Sequence, residues 1–233
     1  MIQKIVFSIL TLLLSGNSTF LSAQEAKTLF TNMPDSLCPL LTAVNRADCI
    51  DFRLSNMKAE VTNRFDSKSE MTALTASYIR LQLTAQNSWQ LKVLPTTDST
   101  AVVCIITTAC APACDSDIRF YTTDWKPLQT AAYLELPTLG DYLIHADSLR
   151  LRGRTEANYP LVDAVAKADM LLQQADFAPE GTQLTFTFTT PGYMSQEAAE
   201  ALAPYVQQTI VYRWNRQQER MEKMPAASAA GQR

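Results

Sequence analysis

The sequence predicts an α+β fold of antiparallel meander sheets with short helices packed on one face. Three observations carry this. Apolar side chains alternate with period two in several consecutive runs, turn residues separate those runs at hairpin distances, and helical periodicity is confined to short flanking stretches. Strands therefore come in hairpin-linked groups rather than singly between helices.

The first element is an address. Lys4 precedes the apolar run from Ile5 to Leu14, and Leu21-Ser22-Ala23 closes the segment. This pattern predicts a secretory signal peptide over 1–23, cleaved after Ala23. The apolar run is about half the roughly 20 residues a bilayer-spanning helix needs, so no membrane span is expected after cleavage. The first cysteine is Cys38, so no lipid-accepting residue stands at the cleavage point. A periodic stretch at Leu37, Leu40, Leu41 and Val44 behind Pro34 then predicts a short amphipathic helix, and Ile50, Leu54 and Met57 predict a further turn or two. The period next falls to two. Ile79, Leu81 and Leu83 make one strand, and Trp89, Leu91 and Val93 a second after the break at Gln86-Asn87-Ser88. Ala101 to Thr107 is apolar on both faces, as a central strand requires, and Ile118, Phe120 and Thr122 complete a meander of about four strands. The segment from Tyr142 to Gly153 fits strand or loop, and Pro160 to Ala168 fits the opening of a helix. Beyond Asp169, Met170 to Phe177 and Leu184 to Phe188 flank a Pro179-Glu180-Gly181 turn and form a second hairpin. Ser195 opens a helix from about Gln196 to Ala203, and Ile210, Tyr212 and Trp214 resume the strand pattern. The organisation is thus a signal peptide at 1–23, a helical start plus four-strand meander over 24–135, a second strand-rich unit with short helices over 136–224, and a disordered tail at 225–233. The two units share the order hairpin, intervening element, strand with a terminal aromatic phrase, which leaves a duplication open.

Composition narrows the function. Of 233 residues, 47% are hydrophobic and 18% charged, which excludes a disordered or low-complexity chain. The formal charge is −3, so no basic surplus exists to neutralise a phosphate backbone, and no nucleic acid partner is expected. A single histidine, His145, removes histidine-rich metal sites and leaves any catalytic triad one possible base. Five cysteines enter an oxidising compartment on export, and the odd count leaves at least one unpaired. Cys104, inside an apolar run, reads as an inert buried thiol. Cys110-Ala-Pro-Ala-Cys114 is a possible disulfide or thiol pair; its three intervening residues depart from the two of thioredoxin-like motifs.

Other candidates have plain structural readings beside the chemical ones. Asp115, Asp117 and Asp124 offer oxygens to calcium but lack the offsets of a recognisable loop. Asp48, Asp51, Glu60 and Asp66 offer carboxylates for glycosidase-like chemistry without fixed geometry. Arg150, Arg152 and Arg154 form an anion-binding stripe or a charged strand edge. Trp89, Trp125 and Trp214 sit at strand positions where sheet packing is the default over sugar stacking. No phosphate loop, dinucleotide fingerprint, zinc spacing or nucleophile elbow occurs, and no cofactor is implied.

Met33-Pro-Asp-Ser-Leu37, Asn45-Arg-Ala-Asp-Cys-Ile-Asp-Phe52, Met57-Lys-Ala-Glu-Val-Thr-Asn-Arg-Phe65 and Leu184-Thr-Phe-Thr-Phe-Thr-Thr-Pro191 resemble a Bacteroidetes family of secreted proteins of unknown function, domain of unknown function 3256. The resemblance runs through most of the mature chain and implies an envelope or secreted location, with no catalytic residues to carry over. It also implies O-glycosylation at Asp-Ser/Thr sites, of which Ser99 in Asp98-Ser99-Thr100 is the candidate. The expectation is a non-catalytic exported binding or scaffolding protein, contacting an envelope protein or glycan through an antiparallel sheet, periplasmic or secreted. The alternative is an envelope hydrolase using carboxylates or a cysteine with His145.

Overall fold

A computed structural model describes residues 20–98, 100–144, 163 and 165–225. Helix α1 (Phe20–Asn32) leads through a 3-10 turn at Asp35–Leu37 into α2 (Ala43–Leu54). A seven-stranded antiparallel meander follows: β1 (Glu60–Thr62), β2 (Lys68–Leu74), β3 (Tyr78–Gln82), β4 (Asn87–Pro95), β5 (Ala101–Cys110), β6 (Cys114–Thr122) and β7 (Pro127–Leu128). Two single-turn helices, α3 (Thr130–Tyr133) and α4 (Leu139–Tyr142), precede the second group. That group is β8 (Gln173–Phe177), β9 (Gln183–Phe188), α5 (Gln196–Leu202), β10 (Thr209–Asn215) and β11 (Arg220–Lys223), with its four strands in the antiparallel order β11-β10-β9-β8. The α+β class with antiparallel sheets therefore holds, as two meanders of seven and four strands.

Each face of the large sheet is buried against a different layer. Period-two alternation sends Ile79, Leu81, Trp89, Leu91, Val103 and Tyr121 to one side, where they pack with Ala26, Phe30, Met33, Cys49 and Ile50 from the helices. Tyr78, Leu94, Cys104, Ile106, Ile118 and Phe120 point the other way, onto Ala175, Phe177, Phe186, Tyr212 and Trp214 of the small sheet. The layers are thus helices, large sheet and small sheet.

Local chemistry explains several departures from the sequence reading. The helix expected across Leu37 to Val44 is broken: a 3-10 turn ends at Leu37, Pro39 follows, and Thr42 caps a new helix. Its side chain accepts from the Asn45 amide at 3.1 Å, while Asn45 accepts from the Thr42 amide. Val44 is consequently 69% exposed, and α2 buries Arg46, Cys49 and Ile50 while Leu54 and Met57 face outward. The expected four strands are seven. β2 escapes an apolar alternation rule because one of its inward residues is Ser69, whose hydroxyl donates to the Leu83 carbonyl at 2.7 Å and accepts from Asn63. Its ladder with β3 slips between Met71 and Ala73, a bulge that leaves the Thr72 carbonyl to Arg53 at 3.3 Å. Trp125 is not in a strand: β6 ends at Thr122, and Trp125 sits in the following turn with φ of 64°, its ring against Tyr121. Gly181, at φ of 71°, supplies the left-handed position of the β8–β9 turn.

Candidate functional site

The most polar buried region lies between the sheets, where β8 approaches the large sheet edge-on. The outward N–H groups of β8 alternate along the strand, and three in succession are taken by side chains of the larger sheet. Gln173 N donates to Asp115 Oδ1 at 3.2 Å, Ala175 N to Ser116 Oγ at 2.9 Å and Phe177 N to Gln90 Oε1 at 3.0 Å. Gln90 also donates from Nε2 to the Ala175 carbonyl and to Asp176 Oδ1, and Tyr78 OH donates to its Oε1 at 3.0 Å. Arg80 pairs with Asp176 at 2.6 Å. Lys92, fully buried, donates to the Ala178 and Pro179 carbonyls at 3.1 and 3.0 Å and lies 5.1 Å from the Tyr78 ring centroid. Burial pulls its ammonium down to about 8. No buried side-chain polar atom of this bridge lacks a protein partner, so its chemistry is docking: it sets the small sheet's register and closes one exposed edge.

The outer face of the small sheet is built differently. The buried, outward alternation of β9 and β10 places Thr185, Thr187, Thr209, Val211 and Arg213 away from the core. An open groove of about 810 Å³ runs along this face, lined among others by Asp141, Gln207, Thr209, Val211, Arg213 and Lys223. One wall is fixed by α4. Asp141 accepts from the Thr138 amide and hydroxyl at 2.8 and 2.9 Å and from Lys223 Nζ, while Gln207 Nε2 donates to its backbone carbonyl at 2.6 Å. Burial pushes the Asp141 carboxyl up, but the Lys223 and Thr138 hydrogen bonds outweigh it and hold it below the usual carboxylate range. The groove therefore offers hydroxyls, amides and the exposed Arg213 guanidinium on a rigid sheet, a surface suited to polar recognition.

Most residues singled out from the sequence are placed elsewhere. Cys110 and Cys114 are joined by a disulfide across the tip of the β5–β6 hairpin, their Cα atoms 3.9 Å apart. Cys38, Cys49 and Cys104 are free and buried, and burial pushes the first two thiols up to about 12 and about 11 and the third well above the ordinary thiol value. A thiolate nucleophile is correspondingly disfavoured at all three. His145, Arg150, Arg152, Arg154 and Ser99 lie outside the described residues. Next to Ser99, the Asp98 carboxylate accepts from Thr100 and Thr96 hydroxyls, which hold it down at about 2. Asp117 pairs with Arg119 at 2.7 Å, and Glu60 on β1 takes Lys58 and Lys68, whose hydrogen bonds and charge lower its carboxyl. Asp66 occupies the β1–β2 turn at φ of 56°. Trp89 and Trp214 are buried and donate to the Leu37 and Pro95 carbonyls at 3.0 and 2.7 Å, so neither presents a ring for stacking on a sugar. Among the described residues no group of three or more His, Cys, Asp or Glu converges as a metal site, and no helix is long and apolar enough to cross a membrane.

Comparison with known proteins agrees with this architecture. The family model described as protein of unknown function (DUF3256) matches residues 18–218. A solved structure of a domain of an uncharacterized protein from Porphyromonas gingivalis W83 superposes with a TM-score of 0.70 at 25% identity, covering 86% of this chain and 98% of that one. No curated protein matches the chain.

Proposed function

This chain belongs to the DUF3256 family, described only as of unknown function, and we propose on its own geometry that it is an exported, non-catalytic binding or scaffolding protein of the bacterial envelope. The observation that carries the reading is the outer face of the small sheet. Both faces of the large sheet are committed to packing, whereas Thr185, Thr187, Thr209, Val211 and Arg213 lie on a face with no layer over it among the described residues. Export is supported by the apolar run before Ala23, and Ala26, Phe30 and Met33, which pack the helical layer, follow that point. The Cys110–Cys114 disulfide suits an oxidising compartment. The raised thiols speak against a cysteine hydrolase.

The test is retention of the purified protein on Bacteroidetes outer-membrane fractions and on peptidoglycan sacculi, compared with Arg213→Glu and Thr187→Arg. Either outward substitution is expected to lower retention at least about tenfold with an unchanged melting temperature, since surface changes away from caps and cores cost within about 0.5 kcal/mol of stability. Retention that survives both, or is lost only with His145→Ala, overturns the reading.

A further inference from the structure

The four-stranded sheet has two edges, and they are treated in opposite ways. Along β8, side chains of the large sheet take Gln173 N, Ala175 N and Phe177 N in succession. Along β11 the register of the ladder, with Met224 N donating to the Val211 carbonyl, turns the backbone groups of Arg220 and Glu222 toward β10 and those of Met221 and Lys223 outward. Neither Met221 nor Lys223 has a backbone hydrogen-bond partner among the described residues. Two grooves of about 430 and 460 Å³ run beside this edge, with Leu134, Glu135 and the 47% exposed Leu136 lining their far side.

The sequence of the edge says what fits there. Glu219-Arg220-Met221-Glu222-Lys223 is a charge palindrome. We propose that β11 pairs antiparallel with β11 of a second copy of this chain about a twofold axis at Met221. Arg220 then faces the second copy's Glu222, Glu222 its Arg220, and Glu219 and Lys223 face each other's counterparts. Each Met221 N–H donates to the other Met221 carbonyl, and the two small sheets become one of eight strands. Slipping the register by one residue in either direction opposes Glu219 to Glu222 or Arg220 to Lys223, and centring it on residue 220 or 222 opposes like charges directly. In-register parallel pairing does the same at every charged position. Among antiparallel registers that bring the outward backbone groups of residues 219, 221 and 223 face to face, the Met221-centred one alone is free of the like-charge contacts that cross-strand pairs penalise. Glu219 already accepts from Thr97 and Lys223 already holds Asp141, whereas Glu222 carries only a neutral hydrogen bond from Asn215 at 2.8 Å and keeps its charge unpaired among the described ion pairs, so the Arg220 to Glu222 contact, made twice, carries the specificity.

A two-strand contact buries less than the 1,200–2,000 Å² or so of a standard stable interface, so the dimer is weak, with a Kd on the order of 0.1–1 mM, and salt-sensitive. The test is sedimentation velocity over a concentration series, with amide exchange at Met221, Glu222 and Lys223. Wild type is expected to dimerise, slowing exchange at Met221 and Lys223 as concentration rises but leaving Glu222, already bonded to β10, unchanged. Arg220→Glu and Glu222→Lys are each expected to weaken self-association about tenfold, because each opposes like charges across the axis. Mixing the two variants restores complementarity at both contacts, so the equimolar mixture is expected to regain the wild-type affinity, which also shows that both variants are folded. Three results overturn the proposal: a wild type that stays monomeric at millimolar concentration, single variants that associate as wild type does, or folded variants whose mixture does not recover.

Discussion

On its helix side the seven-stranded sheet presents Ile79, Leu81, Trp89, Leu91 and Val103 to an apolar layer, and Trp89 Nε1 donates to the Leu37 carbonyl within it. On its other side the same strands carry Gln90 and Lys92, which reach backbone atoms of β8 and of the turn after it, Arg80, which pairs with the Asp176 carboxylate, and Tyr78, which donates to Gln90. The first interface is held chiefly by area and shape, with a few side-chain hydrogen bonds from Asn45, Arg53 and Trp89. The second has acceptors and donors at fixed positions, so the small sheet can dock in one register only. Stability and placement are thereby divided between two faces of one strand, since β4 contributes Trp89 and Leu91 to one and Gln90 and Lys92 to the other.

The largest loss of stability is expected on the dry face. Trp89→Ala removes a side chain that is 1% exposed and packed at a tilt against Phe30, with ring centroids 5.6 Å apart. A loss of about 3 to 5 kcal/mol is expected from the denaturant midpoint, the range for deleting a buried aromatic. Equal or smaller loss than for the polar variant below would show that the helix layer is loosely packed. Gln90→Ala on the wet face is expected to cost about 2 to 3 kcal/mol, because it strands the Phe177 amide, the Ala175 carbonyl and the Tyr78 hydroxyl inside the protein. It should also speed amide exchange at Phe177 relative to Trp89→Ala at matched stability, a signature of lost register rather than lost area.

The sequence exposes the first face and conceals the second. Trp89, Leu91 and Val93 announce a strand through period two, and the alternation at Ile79 and at Leu184 to Phe188 is as plain. Gln90 and Lys92 occupy the alternate positions, where polar residues ordinarily mean solvent, and nothing local distinguishes a lysine that meets water from one that meets the carbonyls of residues 178 and 179. Their partners lie more than eighty residues away, so only the tertiary arrangement reveals the bridge. The same limit hid β1 and β11, of three and four residues, which are too short for any period to register, and the outer face with its groove, which exists only once β9 and β10 are paired. The Cys110 and Cys114 pair was readable because its loop is local.

The smallest and most diagnostic effect concerns Lys92. Its ammonium titrates near 8 in the folded protein because burial disfavours the charge, against an ordinary value of 10.5. Between those values the unfolded chain holds the proton and the folded chain releases it, so unfolding binds protons and stability attributable to Lys92 rises with pH. The full shift sets a ceiling of roughly 3.5 kcal/mol at about 1.4 kcal/mol per unit. The Ala178 and Pro179 carbonyls and the Tyr78 ring favour the charged form, so about 1 to 2 kcal/mol is expected. Cys38 and Cys49 act oppositely, because their raised thiols stay protonated in the fold while the unfolded chain loses those protons above pH 9. The readable quantity is therefore the unfolding free energy of wild type minus that of Lys92→Met, measured from pH 7 to 10.5. A difference that climbs above pH 8 places a desolvated lysine in the bridge; a flat one means water reaches Lys92, and the small sheet is then docked by the Gln90 and Arg80 contacts without it.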